Sequence, residues 1–148
     1  MKDRFTNAIT KLYTAFHNGE LYPECASQCA VGNILDQKDS WKHLSDDHGS
    51  LKLNYLGTIH ERLGRKFMGY SPQELLLIER SFLQGCGYQL PLRHDHFKPK
   101  NPRDKEIQFE GLCAAISQLC KLDNINNITN YQRLFERVNN RPKFELAI

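Results

Sequence analysis

Ser71-Pro72-Gln73-Glu74-Leu75-Leu76-Leu77-Ile78-Glu79-Arg80-Ser81-Phe82-Leu83-Gln84-Gly85-Cys86-Gly87 decides the fold class of this chain. Ser71 and Glu74 have the spacing of a capping box. The hydroxyl can accept from the backbone amide three residues on, and the carboxylate can reach back to the amide of the serine. Proline at the first helical position lacks an N–H that would have no partner there. Leu75, Ile78, Phe82 and Cys86 then recur at intervals of three or four, which predicts an apolar stripe turned inward. Gly85 and Gly87 are expected to close the helix.

The same period runs along nearly the whole chain. Phe5, Ile9, Leu12 and Phe16 predict a first helix that stops at Asn18-Gly19. Pro23 is expected to open a second helix carrying Cys25, Cys29, Ile34 and Leu35. Ser40 is placed to cap a short helix with Trp41 and Leu44, and a longer one follows with Tyr55, Leu56, Ile59 and Leu63 on one side and Gly64 at its end. Residues 88–101 hold Pro91 and Pro99 without periodicity and read as a loop. Asn101-Pro102 opens the clearest helix, with Phe109, Leu112, Cys113, Ile116, Leu119 and Cys120 as a continuous apolar stripe. A last helix, from Thr129 or Asn130, is expected to bury Tyr131, Leu134, Phe135 and Val138, and the tail 143–148 alternates like a short strand. No other alternating run is long enough for a sheet. The prediction is an all-α fold: one domain, 1–148, of five or six helices with short connections.

Composition bounds the rest. A chain of 148 residues suits one domain, and folding should remove about 70% of its surface from water, enough for a core without staples. No apolar run approaches the ~20 residues of a membrane span. Met1-Lys2-Asp3-Arg4-Phe5 leads straight into an amphipathic pattern without a signal-peptide core, so a cytoplasmic location is expected. Five cysteines there are expected to be reduced thiols. The net charge of +3 is too small to argue for nucleic acid. Residues 1–50 carry 5 Lys/Arg against 7 Asp/Glu, which leaves 15 against 10 in the remainder. That basic second half suits an anionic partner, or simply solvated helix faces.

The candidate site centres on Pro23-Glu24-Cys25-Ala26-Ser27-Gln28-Cys29-Ala30-Val31-Gly32-Asn33. Cysteines four apart share one face of a helix, and Ala26, Ala30 and Gly32 let another backbone come close. Three readings stay open: buried packing, thiol chemistry, and half of a zinc or iron site. Packing is favoured because free cysteine is among the most buried residue types. A direct disulfide between positions i and i+4 has poor geometry. A closed metal site needs two further donors. Candidates are His43 and His48, with His60, Cys86, Cys113 and Cys120 further along. Gly32 costs a helix about 1 kcal/mol relative to alanine; close approach by a neighbouring helix is one reason to keep it. Another is ligand access to the backbone, with Asn33 as polar contact. Trp41 is the expected aromatic anchor.

Other clusters have ordinary structural readings beside the chemical ones. His43, Asp46, Asp47 and His48 can bind metal or run acid–base chemistry, and equally can cap a helix end. Residues 45–50 lack the carboxylate spacing of an EF-hand loop. His60-Glu61-Arg62-Leu63-Gly64-Arg65-Lys66 sets cations at a helix C-terminus, where the dipole favours them. His94-Asp95-His96 lies in the loop beside Arg93, Lys98, Lys100, Arg103 and Lys105, where both imidazoles could meet one metal or phosphate. Walker, Rossmann, nucleophile-elbow and His-Glu-x-x-His patterns do not occur.

The run from Ala15-Phe16-His17-Asn18-Gly19 through Cys25…Cys29-Ala30-Val31-Gly32-Asn33-Ile34-Leu35 to Ser40-Trp41-Lys42-His43-Leu44 resembles a family of small bacterial proteins of the Bacteroidetes lineage. The likeness continues through Gly69-Tyr70-Ser71-Pro72 and Gly111-Leu112-Cys113-Ala114. That family has no established activity, and some members have been called the flavin-bearing component of the sodium-translocating NADH:quinone reductase. The residues do not support that name, which implies a membrane anchor, flavin and NADH motifs and a Cys-x4-Cys-x2-Cys run for an iron–sulfur cluster. The resemblance therefore implies no site residues and no flavin, NAD or cluster.

The reading that results is a soluble helical module that binds a small molecule or a protein, or regulates one, through Cys25, Cys29, Asn33, Trp41 and His43. Its rival is a metalloprotein holding zinc or iron on Cys25, Cys29, His43 and His48. Whether a reaction is catalysed stays open.

Overall fold

Five α-helices stand among the residues described by the computed structural model, which are 2–25, 27–37, 44, 52–90 and 96–124. They are α1 (Lys2–Asn18), α2 (Ala30–Ile34), α3 (Tyr55–Arg62), α4 (Pro72–Cys86) and α5 (Lys105–Leu122). The domain is all-α. Its β features among the described residues amount to an isolated bridge between Phe67 and Tyr70. The Ser40 helix apart from Leu44, the helix expected from Thr129 or Asn130, and the alternating tail lie outside the described residues.

Helix α4 forms as its sequence dictates. The Ser71 hydroxyl accepts from the Glu74 amide at 3.2 Å, and the Glu74 carboxylate accepts from the Ser71 amide at 2.9 Å. Leu75, Ile78, Phe82 and Cys86 are buried, and the helix ends at Gly87 with a left-handed φ of 103°. Gly85 is not part of that stop. It lies inside the helix where α4 crosses α5: a Cβ there would come within 2.6 Å of the Ala114 Cβ and 2.8 Å of the Glu110 carbonyl oxygen. Gly111 answers it from α5, where a Cβ would fall 2.3 Å from the Cys86 sulfur. These two glycines let α4 and α5 pack backbone to backbone, the most extensive helix contact among the described elements.

Around that pair, α1 packs on α5 and α2, α2 on α4, and α3 on α4. Phe5, Ile9 and Leu12 of α1 are buried as predicted, and Phe16 packs on the core from its edge. Helix α5 starts later than Asn101-Pro102. Asn101 makes a turn in which its carbonyl accepts from Asp104 N at 3.0 Å, and Asp104 is the cap, accepting from Glu106 N at 2.9 Å. Leu112, Ile116, Leu119 and Cys120 point inward, whereas Phe109 is half exposed and Cys113 sits at the edge.

Two further readings meet the structure differently. The second helix does not begin at Pro23: the described residues between 22 and 29 lie in turns and irregular backbone, and α2 starts only at Ala30. Helix α3 ends near Gly64 as expected, but its apolar side is no core stripe. Tyr55 and Leu63 stand 82% and 61% exposed, and the position pressed inward is Gly57, whose missing Cβ leaves room for the Leu44 carbonyl.

Candidate functional site

Because the chain turns before α2, Cys25 and Cys29 do not share a helix face. They occupy two different environments. The Cys29 amide still donates to the Cys25 carbonyl at 2.8 Å, which closes a single turn. Cys29 is the cap of α2, fully buried, and its sulfur accepts from Gly32 N at 3.4 Å. Burial pushes its thiol well above the usual range, and the adjacent Glu79 carboxylate adds to the rise. Cys25 is half-buried, and its sulfur lies 3.2 Å from the Ser27 hydroxyl. That hydrogen bond draws its thiol below the usual value, helped by the Ser27 and Gln28 amides and by Arg103.

Helix α2 is too short to hold itself in water. What sustains it is Glu79, a carboxylate of α4 that is 2% exposed and accepts from Val31 N at 3.1 Å. A carboxylate at the start of a helix meets both free amides and the positive end of the dipole. Asn33 does similar work from within. Its amide nitrogen lies within 2.9 to 3.1 Å of the carbonyls of Glu20, Gln28 and Cys29, pinning the incoming turns to the helix. Glu79 was legible in principle: it falls four residues after Leu75 and three before Phe82, on the stripe itself.

Helix α1 carries two open cavities on its outer flank. One, of about 330 Å³, includes Thr14, Glu20, Asn33 and Gln37 in its wall. The other, of about 620 Å³, lies between α1 and the turn at 66–69. Its polar wall is Arg4, Asn7, Lys11 and Lys66, its apolar wall Ala8, Ile34 and Met68, with Gly69 between. Lys11 borders both cavities. A third, of about 660 Å³, opens beside Phe16, Cys86, Lys105 and Phe109, with Glu106 and Glu110 also on it.

The floor of the 620 Å³ cavity is fixed by Arg4. Its guanidinium donates to Gly69 O at 2.7 Å, to Glu74 at 3.0 Å and to Asp123, and lies 4.4 Å from the centre of the Tyr70 ring. These contacts hold its proton more tightly than in free arginine, the Asp123 bond first among them. Lys11 donates to Ile34 O at 3.0 Å and pairs with Asp36 at 2.8 Å. Phe67 and Tyr70 exchange backbone hydrogen bonds of 2.8 and 3.1 Å around Met68 and Gly69, which line the cavity. Both central residues have positive φ, 54° and 89°, the pattern of a tight hairpin turn that prefers Asn-Gly.

Of the expected site residues, Cys29 and Asn33 stand together as supports of α2, with Asn33 on the smaller cavity. Cys25 lies one turn before them. Trp41, His43 and His48 lie outside the described residues. Among the described residues no group of three or more His, Cys, Asp or Glu side chains is placed to hold a metal ion. His60 turns its ring edge toward Phe67, centroids 5.8 Å apart. Sequence reasoning missed Arg4, Lys11, Lys66 and Met68. Arg4 and Lys11 are far along the chain from Lys66 and Met68, and only the folded turn at 66–69 brings the two pairs together. No family profile, curated protein or solved structure matches the chain.

Proposed function

We propose that this protein is a small-ligand-binding module, with its site on the flank of α1 rather than at the cysteine pair. The observation that carries this is the 620 Å³ cavity, whose polar wall is Arg4, Asn7, Lys11 and Lys66 and holds no carboxylate. Its volume falls within the range of small-molecule sites, and it pairs an apolar wall with a few polar groups, as such sites do. The rigid Arg4 floor supports the reading because a pre-formed site loses little on binding. No helix among the described residues is long and apolar enough to cross a membrane. The five free thiols favour a reducing compartment, and the proposal places the protein in the bacterial cytoplasm. Kinship with the small Bacteroidetes-lineage family is part of the same proposal and rests on the runs within residues 15–44, 69–72 and 111–114.

Thermal unfolding of the full chain against a panel of small acids, bases and neutral compounds tests this. A ligand that binds only the native state raises the midpoint in proportion to the logarithm of its concentration. At least one class is expected to do so, and Lys11→Met with Lys66→Met should abolish the rise. A panel without any saturable shift, or a shift the double variant keeps, removes the α1 site.

A further inference from the structure

Met68 occupies a position that its backbone argues against. With φ at +54° it sits where Asn, Asp or Gly is favoured and where a long L side chain is strained. Gly69 beside it is fixed by close approach, since a Cβ there would lie 2.8 Å from the Arg4 Cβ. Met68 itself is 46% exposed and lines the cavity. Strained residues of this kind concentrate at ligand clamps, and a thioether adapts its shape to whatever apolar surface it meets.

The polar end points the same way. Arg4 and Lys11 are held on Glu74, Asp123 and Asp36, none of which lines the cavity. Their charges are therefore already compensated, with every Arg4 N–H engaged, and an entering anion is left to the groups of the wall that have no acidic partner. Lys66 is exposed, lines the cavity and makes no ion pair among the described residues, and Asn7, also exposed, lines the same cavity.

Building on the α1-site reading, we propose that the ligand is a small carboxylate with an apolar body. Lys66 and Asn7 take the carboxylate, and Met68 closes over the apolar part against Ala8 and Ile34. Three probes of equal chain length separate the contributions: decanoate, decanol and decyltrimethylammonium, titrated by calorimetry below micelle-forming concentrations. Decanoate is expected to bind at least tenfold more tightly than decanol, and the ammonium not measurably. Lys66→Met should erase the preference of decanoate over decanol. Met68→Asn should raise the melting temperature, because the turn then holds a residue it favours, while weakening decanoate at least fivefold.

Equal affinity for the three probes, an unchanged decanoate affinity in Lys66→Met, or an unchanged affinity in Met68→Asn each overturns the inference. If decanoate fails but the panel of acids, bases and neutral compounds finds another class whose shift needs Lys11 and Lys66, the α1 site stands and this ligand assignment falls. If neither binds, both fall.

Discussion

Cys25 and Cys29 are expected to differ in reactivity, because a hydrogen bond from Ser27 draws one thiol down while burial pushes the other up. The thiolate is the nucleophile, and Cys25 is the one the structure stabilises, through Ser27 first. At pH 7 iodoacetamide should label Cys25 before Cys29 or Cys86, whose thiol is pushed up to about 12 chiefly by burial. Ser27→Ala should slow Cys25, and peptide mass mapping over time reads both; equal native labelling of the three would refute the assignment. His17 offers a second check. Burial, then the Lys105 charge, lowers its pKa, so the folded state prefers the neutral ring. Its contribution to stability is present above about pH 6.5 and is lost as pH falls through the lowered folded value. Urea unfolding at pH 8 and pH 5 should show a smaller pH loss for His17→Gln than for the parent. What the sequence disclosed at this scale was that Cys29 is buried. The identity of its neighbour could not be read from it, because Glu79 is fifty residues away along the chain.

At the scale of elements, the α4–α5 crossing is the feature most sensitive to a single methyl group. Gly111→Ala places a Cβ 2.3 Å from the Cys86 sulfur and 2.9 Å from the Phe82 ring, which is wholly buried. Overpacking of this kind costs about 1–3 kcal/mol, more than the roughly 1 kcal/mol alanine returns in helix propensity. Urea denaturation should show the loss, and adding Cys86→Ala should recover part of it; a stabilised Gly111→Ala would mean the helices stand further apart. Local signals served best here. Helix α4 was legible but for the role of Gly85, because its cap, its first proline and its stripe lie within sixteen residues. Helix α2 was misplaced because its start depends on Glu79, and for α3 the period could place Tyr55 and Leu63 on one side without saying that they stay exposed. Gly85 was read as a stop since a packing glycine and a terminal glycine look alike until the partner helix is known.

Across the whole molecule, Arg4 is the tie that no local pattern announces. It joins the first turn of α1 to the 67–70 turn, the start of α4 and the end of α5, with Asp123 lying 119 positions away along the chain. Arg4→Met leaves two carboxylates without their cation and should cost about 3 kcal/mol, the lower end of values for buried pairs because water still reaches the cluster. Equilibrium urea titration measures that loss, and a change below about half a kcal/mol would show the cluster to be ornamental. All-α class and a single domain were legible from period and length. The cavity on α1 was not, because it is built by tertiary meeting of residues 4–11, 34 and 66–69.

The span of that tie has a kinetic corollary. A contact closing so long a loop forms late in folding, after shorter-range pairings have assembled. Its removal should therefore accelerate unfolding and leave the refolding rate close to that of the parent, moving one arm of the chevron and sparing the other. Removal of the tie should also make the hydrogen-bonded amides of the second turn of α1 exchange with solvent sooner than in the parent, with those of α4 less affected.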